Sequence, residues 1–156
     1  MTAGSQDEAL KRALKFLGYR ARSEAEVRTK LTQSGFPPKI IGPTLGKLRS
    51  LKLLDDEAFA RTFIQGRIEG RGYGPLRLAR ELRQKGIAQA LVARVLDEAF
   101  GRQEGKERAR ALMEKRFRGK DLSDAKNLRR AVAFLQRRGY RDAVIAEILR
   151  QPLGDD

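Results

Sequence analysis

Three groups of residues in this 156-residue chain have types and spacings that could do chemistry. Asp55, Asp56 and Glu57 stand side by side, and clustered carboxylates can hold a divalent cation or divide acid–base work. The run Gly70-Arg71-Gly72-Tyr73-Gly74-Pro75 could cradle a phosphate where a loop enters a helix. Arginines recur at helical spacing, with Arg77, Arg80 and Arg83 in one segment and Arg129, Arg130 and Arg137 in another, as on a face that meets a polyanion.

The first two groups have plainer readings. The acidic cluster suits a helix start, where each anion gains about 0.3–1 kcal/mol from the macrodipole and unpaired N–H groups, and Asp55 or Asp56 can serve as the N-cap. The glycine run follows a helical segment rather than a strand, lacks a Gly-Lys-Ser/Thr ending and misses the dinucleotide spacing, so it reads as a flexible joint before the next helix. Histidine and cysteine are absent, which removes disulfides, Cys-bearing zinc sites, thiol nucleophiles and His-centred acid–base schemes in one step. No catalytic set, metal site, cofactor or small-molecule substrate is expected. Lys and Arg total 34 against 20 Asp and Glu, a formal net charge of +14. Such an excess favours nucleic acid, a nucleoprotein or an acidic protein surface as partner. No run approaches the ~18 apolar residues of a membrane span, and Met1 to Asp7 lack the apolar stretch of a signal peptide. A cytosolic protein with no membrane partner is expected.

The elements that carry the arginines follow from periodicity. No segment alternates apolar and polar residues over a useful length, while helix-period apolar spacing recurs throughout, so the chain reads as all-α. A glycine followed by a large apolar residue occurs at Gly35, Gly86 and Gly139, each reading as a left-handed helix cap. Superimposing the three aligns Val27, Leu78 and Ala131, then Leu31, Leu82 and Leu135, on one helical face before the glycine. After it come Phe36, Ile87 and Tyr140, then Ile41, Val92 and Ile145, and then Leu45, Leu96 and Leu149, the buried stripe of a following helix. Glycine separations of 51 and 53 residues leave room for a third, preceding helix in each unit, supplied by 9–19, 57–69 and 104–117. Ser23 with Glu26 forms a capping box, Ser123 can cap the eighth helix, and Pro37 and Pro75 suit first-turn positions.

The expected architecture is three tandem three-helix repeats, about nine helices, in an elongated, curved monomer. The repeats span 9–54, 55–100 and 101–151, between a disordered N-terminal tail at 1–8 and a C-terminal tail at 152–156. Inward Leu78 and Leu82 turn Arg77, Arg80, Arg83 and Gln84 outward, and inward Ala131 and Leu135 do the same for Arg129, Arg130 and Arg137. Arg77 and Arg130 occupy equivalent repeat positions. Charge is uneven: 11 Lys/Arg stand against 4 Asp/Glu in 1–54, 8 against 7 in 55–100, and 15 against 9 in 101–156. The glycine turns also evoke helix-turn-helix DNA readers, but Arg94 is the only basic residue in 87–100, which argues against base reading by that helix.

Four blocks then carry a likeness to a known family. They are Arg22-Ser23-Glu24 with Glu26 and Lys30-Leu31; Leu54-Asp55-Asp56 with Phe59-Ala60 and Arg67; Arg71-Gly72-Tyr73-Gly74-Pro75 running through Arg77, Glu81-Leu82 and Lys85-Gly86-Ile87; and Phe134-Leu135 with Arg138-Gly139-Tyr140. In this order, over roughly residues 9–149, the sequence closely resembles the RecX regulatory proteins, modulators of the RecA recombinase. The resemblance implies tandem three-helix repeats, in agreement with the periodicity. It further implies a non-enzymatic inhibitor that lodges in the groove of the RecA filament on single-stranded DNA. Such an inhibitor blocks strand exchange, ATPase and co-protease activities, and so modulates recombination and the SOS response. One departure is Phe36-Pro37-Pro38 after the first glycine, which makes the start of the third helix proline-set. The residues by themselves leave open an alternative, a stand-alone protein binding single- or double-stranded DNA through its basic faces.

Overall fold

The computed structural model describes residues 5–150, the side chain at position 102 excepted. Among these residues there are nine helices and no strand. They are α1 (Gln6–Leu17), α2 (Glu24–Gln33), α3 (Pro38–Ser50), α4 (Asp56–Arg71), α5 (Pro75–Gln84), α6 (Gln89–Phe100), α7 (Arg102–Arg116), α8 (Ala125–Arg138) and α9 (Asp142–Arg150). Three helices make a unit, and the units follow one another in tandem. No hydrogen bond or ion pair among the described residues joins the first unit to the third. Contact passes from unit to unit in chain order.

Local chemistry sets the helix ends. Ser23 accepts the Glu26 N–H at 3.1 Å while the Glu26 carboxylate accepts the Ser23 N–H at 3.0 Å, the reciprocal capping box. Asp55, rather than Asp56, caps α4 by accepting the Ala58 N–H. Three expected boundaries move. Ser5 caps α1 through the Glu8 N–H, so residues 6–8, assigned above to a tail, are helical; positions 1–4 and 151–156 lie outside the described residues. Asp124, not Ser123, caps α8, because the Ser123 hydroxyl and N–H are both held by Asp121 at 2.6 and 2.9 Å. Pro38, not Pro37, takes the first helical position of α3, since a proline pushes the residue before it into extended backbone and Pro37 has ψ 159°.

The apolar stripes meet in two cores. Ala9, Ala13, Val27, Leu31, Phe36, Ile41, Leu45, Leu48 and Leu54 form one wholly inside the first unit. The second is continuous through the other two units, from Phe59 and Ile64 through Leu78, Leu82, Val95 and Phe100 to Met113, Leu135, Tyr140 and Ile148. Truncating a fully buried leucine such as Leu31, Leu82 or Leu135 to alanine costs about 2–5 kcal/mol.

Candidate functional site

The second helix of each unit (α2, α5, α8) ends in the same turn. The N–H groups of Phe36, Ile87 and Tyr140 donate to the carbonyls of Leu31, Leu82 and Leu135, each at 3.1 Å. Gly35, Gly86 and Gly139 sit at φ 93°, 80° and 99°, where a side chain is strained. This five-residues-back bond closes a helix and leaves the carbonyl before the glycine turned outward.

Two of these turns are filled by the helix start of the preceding unit. At Gly86 the Ser23 hydroxyl donates to the Lys85 carbonyl at 2.6 Å, the Lys85 ammonium lies 3.3 Å from the Glu26 carboxylate, and Ala25 rests against the glycine so closely that a Cβ there would collide with it. At Gly139 the Gly74 N–H donates to the Arg138 carbonyl at 2.6 Å and the Leu76 N–H to the Gly139 carbonyl at 2.9 Å. Here too a Cβ on the turn glycine would strike the Arg77 backbone, and one on Gly74 would come within 2.8 Å of the Gly139 backbone. Ser23 and Gly74 stand the same twelve residues before their own turn glycines. The three second helices therefore meet end to end, α8 to α5 to α2. Each contact sets the positive end of one helix dipole against the negative end of the next.

The acidic cluster is consumed by this framework. Asp56 accepts the Glu24 N–H at the start of α2 (2.9 Å), and Glu57 pairs with Arg61 and Arg94. Burial pushes the Asp56 carboxyl up, helped by the charges of Glu24, Asp55 and Glu26 against the bond from Glu24 N–H. Glu26 moves the other way. Burial works against its charge, but the Arg20 side chain, the Ser23 N–H and the Lys85 and Arg20 charges outweigh it and hold its carboxyl below the usual range. Nor is the glycine run a flexible joint. Gly72 closes α4 at φ 65°, Tyr73 and Gly74 are buried, and Arg138 donates to the Arg71 carbonyl at 2.7 Å. Packing against the third unit pins it.

The predicted arginines divide. Arg80, Arg83, Arg129, Arg130 and Arg137 are exposed, and none forms an ion pair among the described residues. Arg77 is drawn into the joint: it stacks over Tyr73 at 3.8 Å, pairs with Glu81 and donates to the Arg137 carbonyl. Helical spacing turned it outward correctly, but a neighbouring unit covers that side. Its repeat equivalent Arg130 stays exposed. Of the motif residues, Phe59 and Leu82 are core, and Tyr140 packs edge-to-face on Phe100, its buried phenol pushed up to about 12. The sequence reading missed the pairing of Ser23 with Lys85 and of Gly74 with Arg138. The signal available was the small residue, serine or glycine, twelve places before the first two turns.

Comparison with known proteins identifies the three units. Family models for the first, second and third three-helix domains of RecX match residues 9–48, 55–96 and 103–149. A protein named regulatory protein RecX from Halorhodospira halophila is 38% identical over 139 residues, covering 88% of this chain and 84% of its own. One of the same name from Chlorobaculum tepidum is 31% identical over 156 residues, covering 100% and 95%. A crystal structure of regulatory protein RecX superposes with TM-score 0.76 at 28% identity over 94% of this chain and 72% of its own. That of RecX from Lactobacillus salivarius, at 21% identity, shares the fold with TM-score 0.81 over 93% and 94%.

Proposed function

This chain belongs to the RecX family of regulatory proteins, and from that premise we propose that it binds RecA and RecA filaments on single-stranded DNA and inhibits them, acting as a monomer without catalysis. The observation that carries the reading is the set of unpaired, exposed arginines on consecutive second helices: Arg80 and Arg83 on α5, Arg129, Arg130 and Arg137 on α8. Strung along an end-to-end line of helices, they fit a partner that itself repeats, such as a filament with successive acidic or phosphate-bearing surfaces. Arg77 supports the line by holding α5 to α8 and is a positioning residue.

The test is DNA-dependent ATP hydrolysis by RecA with this protein added. Inhibition at stoichiometric amounts is expected; unchanged hydrolysis overturns the proposal. The net charge of +14 also favours a second reading, direct binding to bare DNA. Titration over a salt series separates the two, because phosphate-driven affinity falls steeply with salt. Tight binding to bare duplex with no effect on RecA favours the second.

A further inference from the structure

The third copy of the turn is empty. Gly35 has the same left-handed backbone and the same closing bond as Gly86 and Gly139, yet a Cβ built on it meets nothing within 4 Å. The Ser34 and Gly35 carbonyls accept no hydrogen bond among the described residues, whereas the equivalent Lys85, Arg138 and Gly139 carbonyls are all engaged by the preceding unit. The first unit thus presents the receiving half of a joint that the molecule fills twice elsewhere.

The surroundings of this turn specify a charge. Arg12 reaches the Ser34 hydroxyl at 3.2 Å, and Lys30 stands one helical turn back on α2. Both line a cleft of about 340 Å³ with Lys15, Phe16 and Tyr19, and none of the three cations is ion-paired among the described residues. The occupant of the filled joint beside it is Ser23-Glu24-Ala25-Glu26: a small cap, a small residue against the glycine and acids in the first turn.

A second copy of the chain makes a poor occupant. The helix start that would enter is that of α8, but α8 begins three residues ahead of the joint register. Position 129, equivalent to Leu76, is its fifth residue, where a backbone N–H is spent inside the helix. Lys126, Arg129 and Arg130 would also face Arg12, Lys15 and Lys30. Without a complementary free helix start, the chain cannot propagate itself through this joint.

We propose that the Gly35 turn docks the N-terminus of an acidic helix on the RecA partner, with a small capping residue, as the first unit docks on Gly86. The inference rests on the RecA reading above. Gly35→Asn tests it, since asparagine tolerates the left-handed backbone and its side chain would stand where the helix must approach. Arg12→Glu reverses a flanking charge and leaves the turn intact. Co-sedimentation of each full-length variant with RecA filaments on single-stranded DNA is expected to show affinity at least tenfold weaker, with circular dichroism as in the unaltered protein, thermal melting unchanged for Arg12→Glu and lowered by only a few degrees for Gly35→Asn. Binding of both variants within twofold of the unaltered protein overturns the proposal. So does loss of self-association, in place of filament binding, on analytical ultracentrifugation. Failure of the unaltered protein itself to bind sinks the RecA reading and this one with it.

Discussion

The joint between the first two units and the joint between the last two occupy the same register but are held by different chemistry. The first is polar: a serine hydroxyl on a carbonyl, the Glu26–Lys85 pair and the Asp56 bond to Glu24 N–H. The second uses backbone on backbone through Gly74 and Gly139, over a core that runs unbroken through both units. Half-buried polar links that still touch water contribute modestly and weaken with salt, whereas a shared core makes two units one cooperative body. A repeat protein can thus keep one geometry while assigning a yielding link to one end and a firm one to the other.

Gly139→Ala should do the most to break this contrast, because the residue is at φ 99° and its new methyl meets the Arg77 backbone. A loss of about 2–4 kcal/mol is expected, read by urea unfolding as a fall in the transition shared by the second and third units. Ser23→Ala comes next: it removes a cap and the cross-unit bond together, about 1–2 kcal/mol. Its effect should appear in hydrogen exchange as faster opening of the first unit alone. If the second and third units open equally, the joints are not independent.

Acid sharpens the comparison further. Glu26 has its folded pKa lowered from 4.5, so its contribution is present above that value and is lost as pH falls through the folded value. Asp56 has its folded pKa raised from 3.8. The folded state therefore binds its proton more readily, and Asp56 favours folding on acidification, opposing Glu26. Asp56→Asn should make the first unit's stability fall more steeply as the pH is taken from about 6 to about 3, and Glu26→Gln should flatten it, in urea titrations at each pH. An unchanged slope in both variants would show that these carboxyls do not govern the joint. Smallest of all, Arg49→Ala removes only a partly exposed pair with Glu24 inside the first unit and should cost no more than about 0.5 kcal/mol, vanishing in high salt.

The units themselves were legible because a turn glycine at positive φ has few substitutes, and because Leu31, Leu82 and Leu135 repeat at a fixed distance from it. The joints were legible only in part. At the turns they pair residues 59 to 67 positions apart, and the position twelve before the glycine carries serine and glycine in the first two units but asparagine in the third, which breaks the pattern. For the same reason Gly70 to Pro75 passed for a flexible joint. Glycine there serves close approach to Gly139 rather than freedom, and a sequence does not distinguish the two until the other backbone is in place. Helical spacing gave the direction of Arg77 but could not say that Tyr73 and the end of α8 lie along it.

The separation of the two cores also orders events in time. The apolar residues that close the first core all lie within 9–54, so that unit can collapse as soon as its own residues have left the ribosome. Phe100 of the second unit, by contrast, packs on Tyr140 of the third. At roughly 5–20 residues per second, the second unit waits several seconds for the partner that completes it. Over that interval the first unit, already folded, offers Ser23 and Glu26 as a template on which the Lys85 turn can settle.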